Sequence, residues 1–87
     1  MANQKSKVIV YTKVFCPYCV NAKAFLNEQG IEFTEVKLED HPEVVDKIKK
    51  ETGWRTLPMI MINDKMIGGY TDMKELYRLG KLDEMLS

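Results

Sequence analysis

Hydrophobic and polar residues in the first part of the chain have the spacing of a strand, a helix and a second strand. Residues 7–12 are rich in Val, Ile and Tyr, which is typical of a buried central strand. Residues 17–29 carry apolar side chains at helical spacing, and Pro17 suits the first turn because its missing N–H has no helical partner there. Gly30 is the expected left-handed stop of this helix, and residues 31–38 alternate as the second strand.

A second helix is expected after this strand. Asp40 and Glu43 have the spacing of a capping box, and Pro42 falls in the first turn. Gly53 ends the helical pattern. Two strands that are joined through a helix are expected to run parallel, with a right-handed crossover.

The second half of the chain predicts a hairpin. Residues 59–62 and 65–67 are short apolar runs, and only Asn63 and Asp64 separate them. A connection of two residues is long enough for a tight turn and too short for a crossover. These two strands are therefore expected to pair antiparallel.

The chain ends with a helical pattern. Asp72 and Glu75 again have the spacing of a capping pair, and Gly80 is the expected break before a last turn or short helix at 82–86. The predicted order is β-α-β-α-β-β-α, an α/β arrangement without repeats or linkers. We therefore expect a single domain over residues 1–87.

Composition and charge narrow the function. Thirteen basic and thirteen acidic residues cancel, so no general affinity for nucleic acid or a membrane surface is expected. No apolar run approaches the roughly 18 residues of a membrane span. Residues 1–7 have no apolar signal core, and we therefore expect a cytoplasmic protein.

The chain has two cysteines, and their number argues against a metal site. In a reducing compartment, paired thiols are more often catalytic or metal-binding than structural. A closed zinc site needs four ligands, whereas this chain offers Cys16, Cys19 and one distant histidine, His41. We therefore expect no bound metal.

The position of the two cysteines predicts redox chemistry. Cys16 lies where a strand ends and a helix begins. The unpaired N–H groups and the positive end of the helix dipole at that point favour a thiolate. Cys19 lies three residues further on the same helical face, within disulfide reach. Cys16 is thus the candidate nucleophile and Cys19 the candidate resolving thiol. The alternatives are that Cys16 is a small packing residue, or that Cys19 mainly packs beside a one-thiol mechanism.

Three motifs resemble those of a known family. The tetrapeptide Cys-Pro-Tyr-Cys at 16–19 resembles the active site of a dithiol glutaredoxin. Arg-Thr-Leu-Pro at 55–58 resembles the cis-proline loop of that family, and Ile-Gly-Gly-Tyr-Thr-Asp at 67–72 resembles its glycine-pair motif. Their order and spacing match over roughly residues 7–82, so the resemblance extends over nearly the whole chain.

The resemblance implies a fold and an activity. The fold is thioredoxin-like, a four-stranded mixed sheet with helices on both faces. The activity is that of a glutathione-dependent thiol–disulfide oxidoreductase, which reduces protein–glutathione mixed disulfides and protein disulfides with no metal or prosthetic group. The implied partners of this monomer are glutathione and disulfide-containing or glutathionylated proteins, with ribonucleotide reductase as one example.

The resemblance also implies a glutathione site. A cis peptide bond before Pro58 would turn the backbone of Leu57 towards the reactive sulfur, where it binds a peptide as a short strand would. The residues implied in glutathione binding are Lys13, Tyr18, Thr56, Leu57, Pro58, Gly69, Thr71 and Asp72. Each has a plainer interpretation: a solvated lysine, a surface tyrosine, residues at the entry of a strand, or caps of a helix.

One position departs from the family pattern. The second helix usually carries a polar or basic residue that binds the glycine carboxylate of glutathione, and the corresponding residue here is Val45. We expect Lys13 to be the main substitute, with Arg55 or Lys49 secondary.

Two other functions compete with this interpretation. One is a redoxin that is reduced by thioredoxin reductase instead of glutathione, although the 67–72 stretch resembles the glutathione-binding type. The other is an iron–sulfur cluster carrier that uses Cys16 and glutathione thiols, although the stiff Cys-Pro-Tyr-Cys turn favours catalysis.

Overall fold

The computed structural model describes residues 5–86. Residues 1–4 and 87, which belong to the predicted 1–87 domain and to the N-terminal segment considered for targeting, lie outside the described residues. The strands are β1 Val8–Thr12, β2 Thr34–Lys37, β3 Met59–Ile62 and β4 Lys65–Gly68, and the helices are α1 Pro17–Glu28, α2 Pro42–Thr52, α3 Tyr70–Arg78 and α4 Lys81–Leu86. Within residues 5–86, no helix is long and apolar enough to cross a bilayer.

The four strands form one mixed sheet in the order β2-β1-β3-β4. β1 runs parallel to β2, with Tyr11 opposite Val36, and antiparallel to β3, with Val10 opposite Ile60. β3 and β4 form the predicted antiparallel hairpin. Its two connecting residues, Asn63 and Asp64, both have positive φ (52° and 65°), as a tight two-residue turn between twisted strands requires.

Alternating side chains of the central strands build a core on each face of the sheet. Val8 and Val10 of β1 point into a cluster with residues of α1, α3 and α4. Tyr11 points to the opposite face, where it packs with Met59 and with Val45 of α2. The predicted thioredoxin-like arrangement, a mixed sheet with helices on both faces, is confirmed.

Apart from shifts of one residue at several ends, the starts of β2, α2 and α3 differ from the sequence predictions. β2 begins at Thr34 rather than at residue 31, because the Ile31 N–H donates back to the end of α1, to the Leu26 carbonyl at 2.9 Å. Asp40 does not cap α2, since it lies in the turn after β2 and donates its own N–H to the Lys37 carbonyl at 3.1 Å. His41 is the N-cap residue instead and forms no side-chain cap.

The third correction concerns α3. Asp72 was expected to be the N-cap residue, but the helix begins earlier, at Tyr70, with Gly69 as its N-cap. Asp72 is therefore in the third helical position. From there its carboxylate accepts a hydrogen bond from the Gly69 N–H at 2.9 Å. The capping interaction exists, but Asp72 supplies it from inside the helix.

Candidate functional site

Cys16 lies at the junction of β1 and α1. It is the N-cap residue of α1, and Pro17 follows as the first helical residue, as the sequence predicts. The backbone N–H of Cys19 points back at the Cys16 sulfur, with an N–Sγ distance of 3.2 Å. A helix N-terminus that aims an N–H at a sulfur stabilises negative charge on it, and this geometry favours Cys16 as the thiolate.

Cys16 and Cys19 form a disulfide, with their Cα atoms 5.2 Å apart. The pair is thus described in the oxidised form of a two-thiol cycle. Cys16 is 7% exposed and Cys19 only 2%. Cys19 is the more deeply buried of the two, as expected if Cys16 is the attacking thiol and Cys19 the resolving thiol.

The loop before β3 approaches the disulfide. The Leu57–Pro58 peptide bond is cis, as the resemblance implies. The Leu57 carbonyl oxygen lies 3.7 Å from the Cys16 sulfur. Backbone groups of Leu57 therefore lie next to the reacting atom, where an extended peptide can pair with them.

The N-terminus of α3 packs against the same loop. A Cβ atom placed on Gly69 would lie 3.4 Å from the Pro58 carbonyl oxygen and 3.5 Å from the Trp54 ring. These are ordinary van der Waals distances, so the N-terminus of α3 lies close against the cis-proline loop at Gly69. The side chain of Asp72 remains exposed beside it.

One cavity of about 540 Å³ brings together all eight residues that were expected to bind glutathione. They are Lys13, Tyr18, Thr56, Leu57, Pro58, Gly69, Thr71 and Asp72. Lys49 and Arg55 also line it, so three cations face this space. Val45 is fully buried in the core below α2 and does not line the cavity.

Tyr70 also lines this cavity, a placement that the sequence does not indicate. Its ring stacks on that of Tyr18, with centroids 6.1 Å apart and an angle of 24° between the planes. The Lys74 ammonium lies 5.9 Å from the Tyr70 centroid. The two rings form an aromatic wall beside the cysteines. No local pattern could indicate this wall, since the two tyrosines lie in different helices.

Both cysteines also line a second cavity, of about 590 Å³, which the sequence does not indicate. The Glu35 carboxylate faces it and accepts hydrogen bonds from Lys23 Nζ at 2.9 Å and from Thr12 Oγ1 at 2.7 Å. Desolvation raises the pKa of Glu35, but the hydrogen bonds from Lys23 and Thr12 outweigh it and hold this pKa below its usual value. Glu35 is therefore a fixed negative charge near the disulfide.

Comparison with known proteins agrees with this geometry. A family model described as Glutaredoxin matches residues 8–67. The chain is 39% identical over 80 residues to a glutaredoxin of Pseudomonas aeruginosa, covering 92% of this chain and 95% of that protein. It is 37% identical over 81 residues to glutaredoxin 3 of Escherichia coli, covering 93% and 98%. The crystal structure of a buckwheat glutaredoxin–glutathione complex matches with a TM-score of 0.84 at 30% identity, covering 95% of this chain and 78% of the buckwheat chain.

Proposed function

The chain belongs to the glutaredoxin family and is a thiol–disulfide oxidoreductase, and on that premise we propose that glutathione is its co-substrate. The substrates are protein–glutathione mixed disulfides and protein disulfides. Cys16 is the nucleophile and Cys19 the resolving thiol. The proposal needs no metal or prosthetic group.

The observation that carries this proposal is the cavity beside the disulfide. Glutathione has a thiol, a peptide backbone, two carboxylates and an ammonium group. The Leu57 backbone lies 3.7 Å from the Cys16 sulfur and suits the cysteine of the tripeptide. The N-terminus of α3, with Thr71 and Asp72, suits the γ-glutamyl end, which has one carboxylate and one ammonium. Lys13 and its cationic neighbours suit the other carboxylate.

The first cycle uses one enzyme thiol. The Cys16 thiolate attacks the glutathionyl sulfur of a mixed disulfide, and the protein thiolate leaves and takes up a proton. Cys16 then holds a glutathionyl group by a disulfide bond. A second glutathione thiolate attacks that group and releases glutathione disulfide. Cys16 returns to the thiolate, and the net exchange converts one mixed disulfide and one free glutathione into the protein thiol and glutathione disulfide.

The second cycle uses both thiols. Cys16 attacks a protein disulfide and forms a mixed disulfide with one of its cysteines. Cys19 loses its proton and attacks Cys16, which closes the Cys16–Cys19 disulfide and expels the reduced protein. This is the state in which the structure describes the pair. Two glutathione molecules then reduce it.

The proposal also includes the setting of the reaction. The enzyme acts as a monomer of one domain over residues 1–87, in the cytoplasm, where glutathione keeps thiols reduced. Glutathionylated or disulfide-containing proteins are its partners, and ribonucleotide reductase is one candidate from the family resemblance.

The test compares two reductants. The reduced protein is assayed on the mixed disulfide of glutathione and 2-mercaptoethanol, with glutathione and glutathione reductase in one arm and thioredoxin reductase in the other. We expect turnover only in the glutathione arm. Turnover in the thioredoxin reductase arm alone would support the other redoxin type. Visible absorbance of the freshly purified protein would support the cluster carrier.

A further inference from the structure

Large apolar side chains that face solvent surround the cysteines on the side of the second cavity. Phe15 is 99% exposed, and Val14 and Val20 are 57% and 60% exposed. All three line this cavity together with Cys16 and Cys19. Phe15 also has a φ of 54°, which a bulky side chain rarely adopts. Exposed apolar side chains that are grouped next to a reacting sulfur are typical of a site that a partner covers.

The loop that presents these side chains is fixed by a hydrogen bond to the segment that follows β2. The Val14 N–H donates to the Glu39 carboxylate, which follows β2, at 2.7 Å. Glu35 is held in turn by Lys23 and Thr12. The two acidic groups of the cavity are thus engaged with the protein itself.

The basic groups of the same cavity are only partly neutralised. Lys13, Lys23 and Lys37 line it against Glu35 and Glu39, which leaves one positive charge in excess. Lys23 is paired with Glu35, whereas Lys13 and Lys37 form no ion pair within residues 5–86. The second cavity is therefore a groove that is apolar at Phe15 and cationic at Lys37.

We propose that this groove binds the polypeptide half of the disulfide substrate and selects a segment with an apolar residue beside the reacting cysteine and a carboxylate nearby. The proposal rests on the proposed function, because it requires that the enzyme act on glutathionylated proteins. The groove shares only Lys13 with the glutathione cavity, so both halves of a mixed disulfide can be held at once. A second glutathione has no apolar side chain with which to cover Phe15, whereas a polypeptide has.

The test uses matched peptides as probes. Each of two synthetic peptides has a leucine followed directly by a glutathionylated cysteine. The peptides differ only at the second position after the cysteine, which is aspartate in one and lysine in the other. The mixed disulfide of glutathione and 2-mercaptoethanol measures the basal reaction. The variants are Phe15→Ala and Lys37→Glu. Matched controls are Leu79→Ala, which removes another exposed apolar side chain, and Lys47→Glu, which reverses another exposed lysine; neither residue lines either cavity.

We expect the unmodified enzyme to prefer the aspartate peptide. Phe15→Ala should lower kcat/KM for both peptides about tenfold, since it removes much of the apolar surface that the leucine covers. Lys37→Glu should reverse the preference and favour the lysine peptide. The preference of the unmodified enzyme should weaken at high salt. The two controls should leave the peptide kinetics unchanged, and all four variants should reduce the small disulfide normally.

The outcomes separate this proposal from the proposed function. If the unmodified enzyme does not discriminate between the peptides, or if Phe15→Ala and Lys37→Glu behave as their controls do, the groove does not select the substrate. Normal turnover of the small disulfide in those experiments would leave the glutathione chemistry intact. No turnover of the small disulfide with glutathione would instead contradict the proposed function.

Discussion

Asp72 Oδ2 accepts a hydrogen bond from the backbone N–H of Gly69 at 2.9 Å, and the same carboxylate lines the candidate glutathione cavity. The side chain therefore has two roles that substitution can separate. The hydrogen bond stabilises the start of α3, which needs an acceptor for its free N–H groups. The negative charge is available to the ammonium of the γ-glutamyl group.

The first prediction concerns this residue. Asp72→Asn keeps an acceptor for the Gly69 N–H but removes the charge, so stability should hardly change while the KM for glutathione rises about tenfold, as expected for a lost charge-assisted bond. Asp72→Ala should show the same KM effect and also lose about 1 kcal/mol of stability. Urea unfolding and steady-state kinetics measure the two effects. With N-acetylglutathione, which has no ammonium group, Asp72→Asn should have little effect; an unchanged penalty would contradict the contact.

The second prediction concerns Gly68, whose φ is 115°. A Cβ atom here would lie 2.6 Å from Asp72 Oδ2 and 2.8 Å from the Asp72 Cβ, so a new rotamer of Asp72 cannot remove the whole clash. Gly53→Ala is the matched control, because Gly53 also has positive φ, 74°, but nothing lies within 4 Å of the added atom. Gly53→Ala should cost about 1 kcal/mol.

Gly68→Ala should cost about 1–3 kcal/mol more than this control, because overpacking adds to the backbone strain. It should also weaken glutathione binding, since the clash displaces Asp72. Thermal or urea unfolding of both variants gives the comparison. Equal losses of stability would show that only the backbone conformation matters at Gly68.

The third prediction concerns the two thiols. The Cys19 N–H lies 3.2 Å from the Cys16 sulfur, and Cys19 itself is 2% exposed. In the reduced protein, Cys16 should therefore react with iodoacetamide at mildly acidic pH much faster than Cys19. Cys16→Ser should abolish all activity. Cys19→Ser should still reduce glutathione mixed disulfides but lose the reduction of protein disulfides that needs a second thiol. Faster alkylation of Cys19 would reverse the assignment.

The fourth prediction concerns pH. The pKa of Glu35 is raised by desolvation but held below its usual value by the stronger effect of Lys23 and Thr12. A pKa that is lower in the folded state contributes stability above the unfolded value, and this contribution is lost as pH falls through the folded value. Lys23→Met should therefore destabilise the protein by about 1 kcal/mol near neutral pH, since both side chains are largely covered.

The difference between Lys23→Met and the unmodified protein should shrink as pH falls through the lowered pKa of Glu35, where the carboxylate takes up a proton and the ion pair is lost. Urea unfolding at several pH values measures it. Lys47→Met is the control, because Lys47 is exposed and has no ion pair within the described part of the chain. A Lys23→Met loss that is the same at all pH values would mean that packing, and not the ion pair, carries the effect.

The parts of the fold that sequence could predict are those that local chemistry determines. The β1–Cys16–Pro17 junction follows from an apolar run and a proline that fits a first helical turn. The 59–68 hairpin follows from a two-residue connection. The residues of the candidate glutathione cavity were indicated only by motif resemblance, since Lys13, Leu57 and Asp72 are far apart in sequence.

The parts that sequence could not predict depend on tertiary contacts. The pairing of Lys23 with Glu35 requires the packing of α1 beside β2, and neither residue has a local signal. The stacking of Tyr18 on Tyr70 joins two helix starts in the same way. The spacing of Asp40 and Glu43 predicts a cap at Asp40, but spacing alone cannot show where the preceding strand ends and its turn begins.

The last prediction concerns the carboxylate of the glycine end of glutathione. The usual partner position on α2 is Val45, which is fully buried and has no polar group. The cavity is instead lined by three cations, Lys13, Lys49 and Arg55. We expect Lys13 to be the main partner, because it alone of the three also lines the cavity that contains Cys16. Lys13→Ala should raise the KM for glutathione about tenfold, as expected for the loss of a charge-assisted hydrogen bond.

The ethyl ester of glutathione at its glycine carboxylate provides the control for this prediction. If Lys13 binds that carboxylate, the ester should be a poorer substrate for the unmodified enzyme, and Lys13→Ala should add little to the loss because both changes remove the same contact. Lys49→Ala and Arg55→Ala, assayed in parallel, should have smaller effects. A penalty of Lys13→Ala that persists with the ester would instead place its action on the Cys16 thiolate. Normal kinetics in Lys13→Ala with a large loss in Lys49→Ala or Arg55→Ala would move the carboxylate site to that residue, since each of them already faces the cavity.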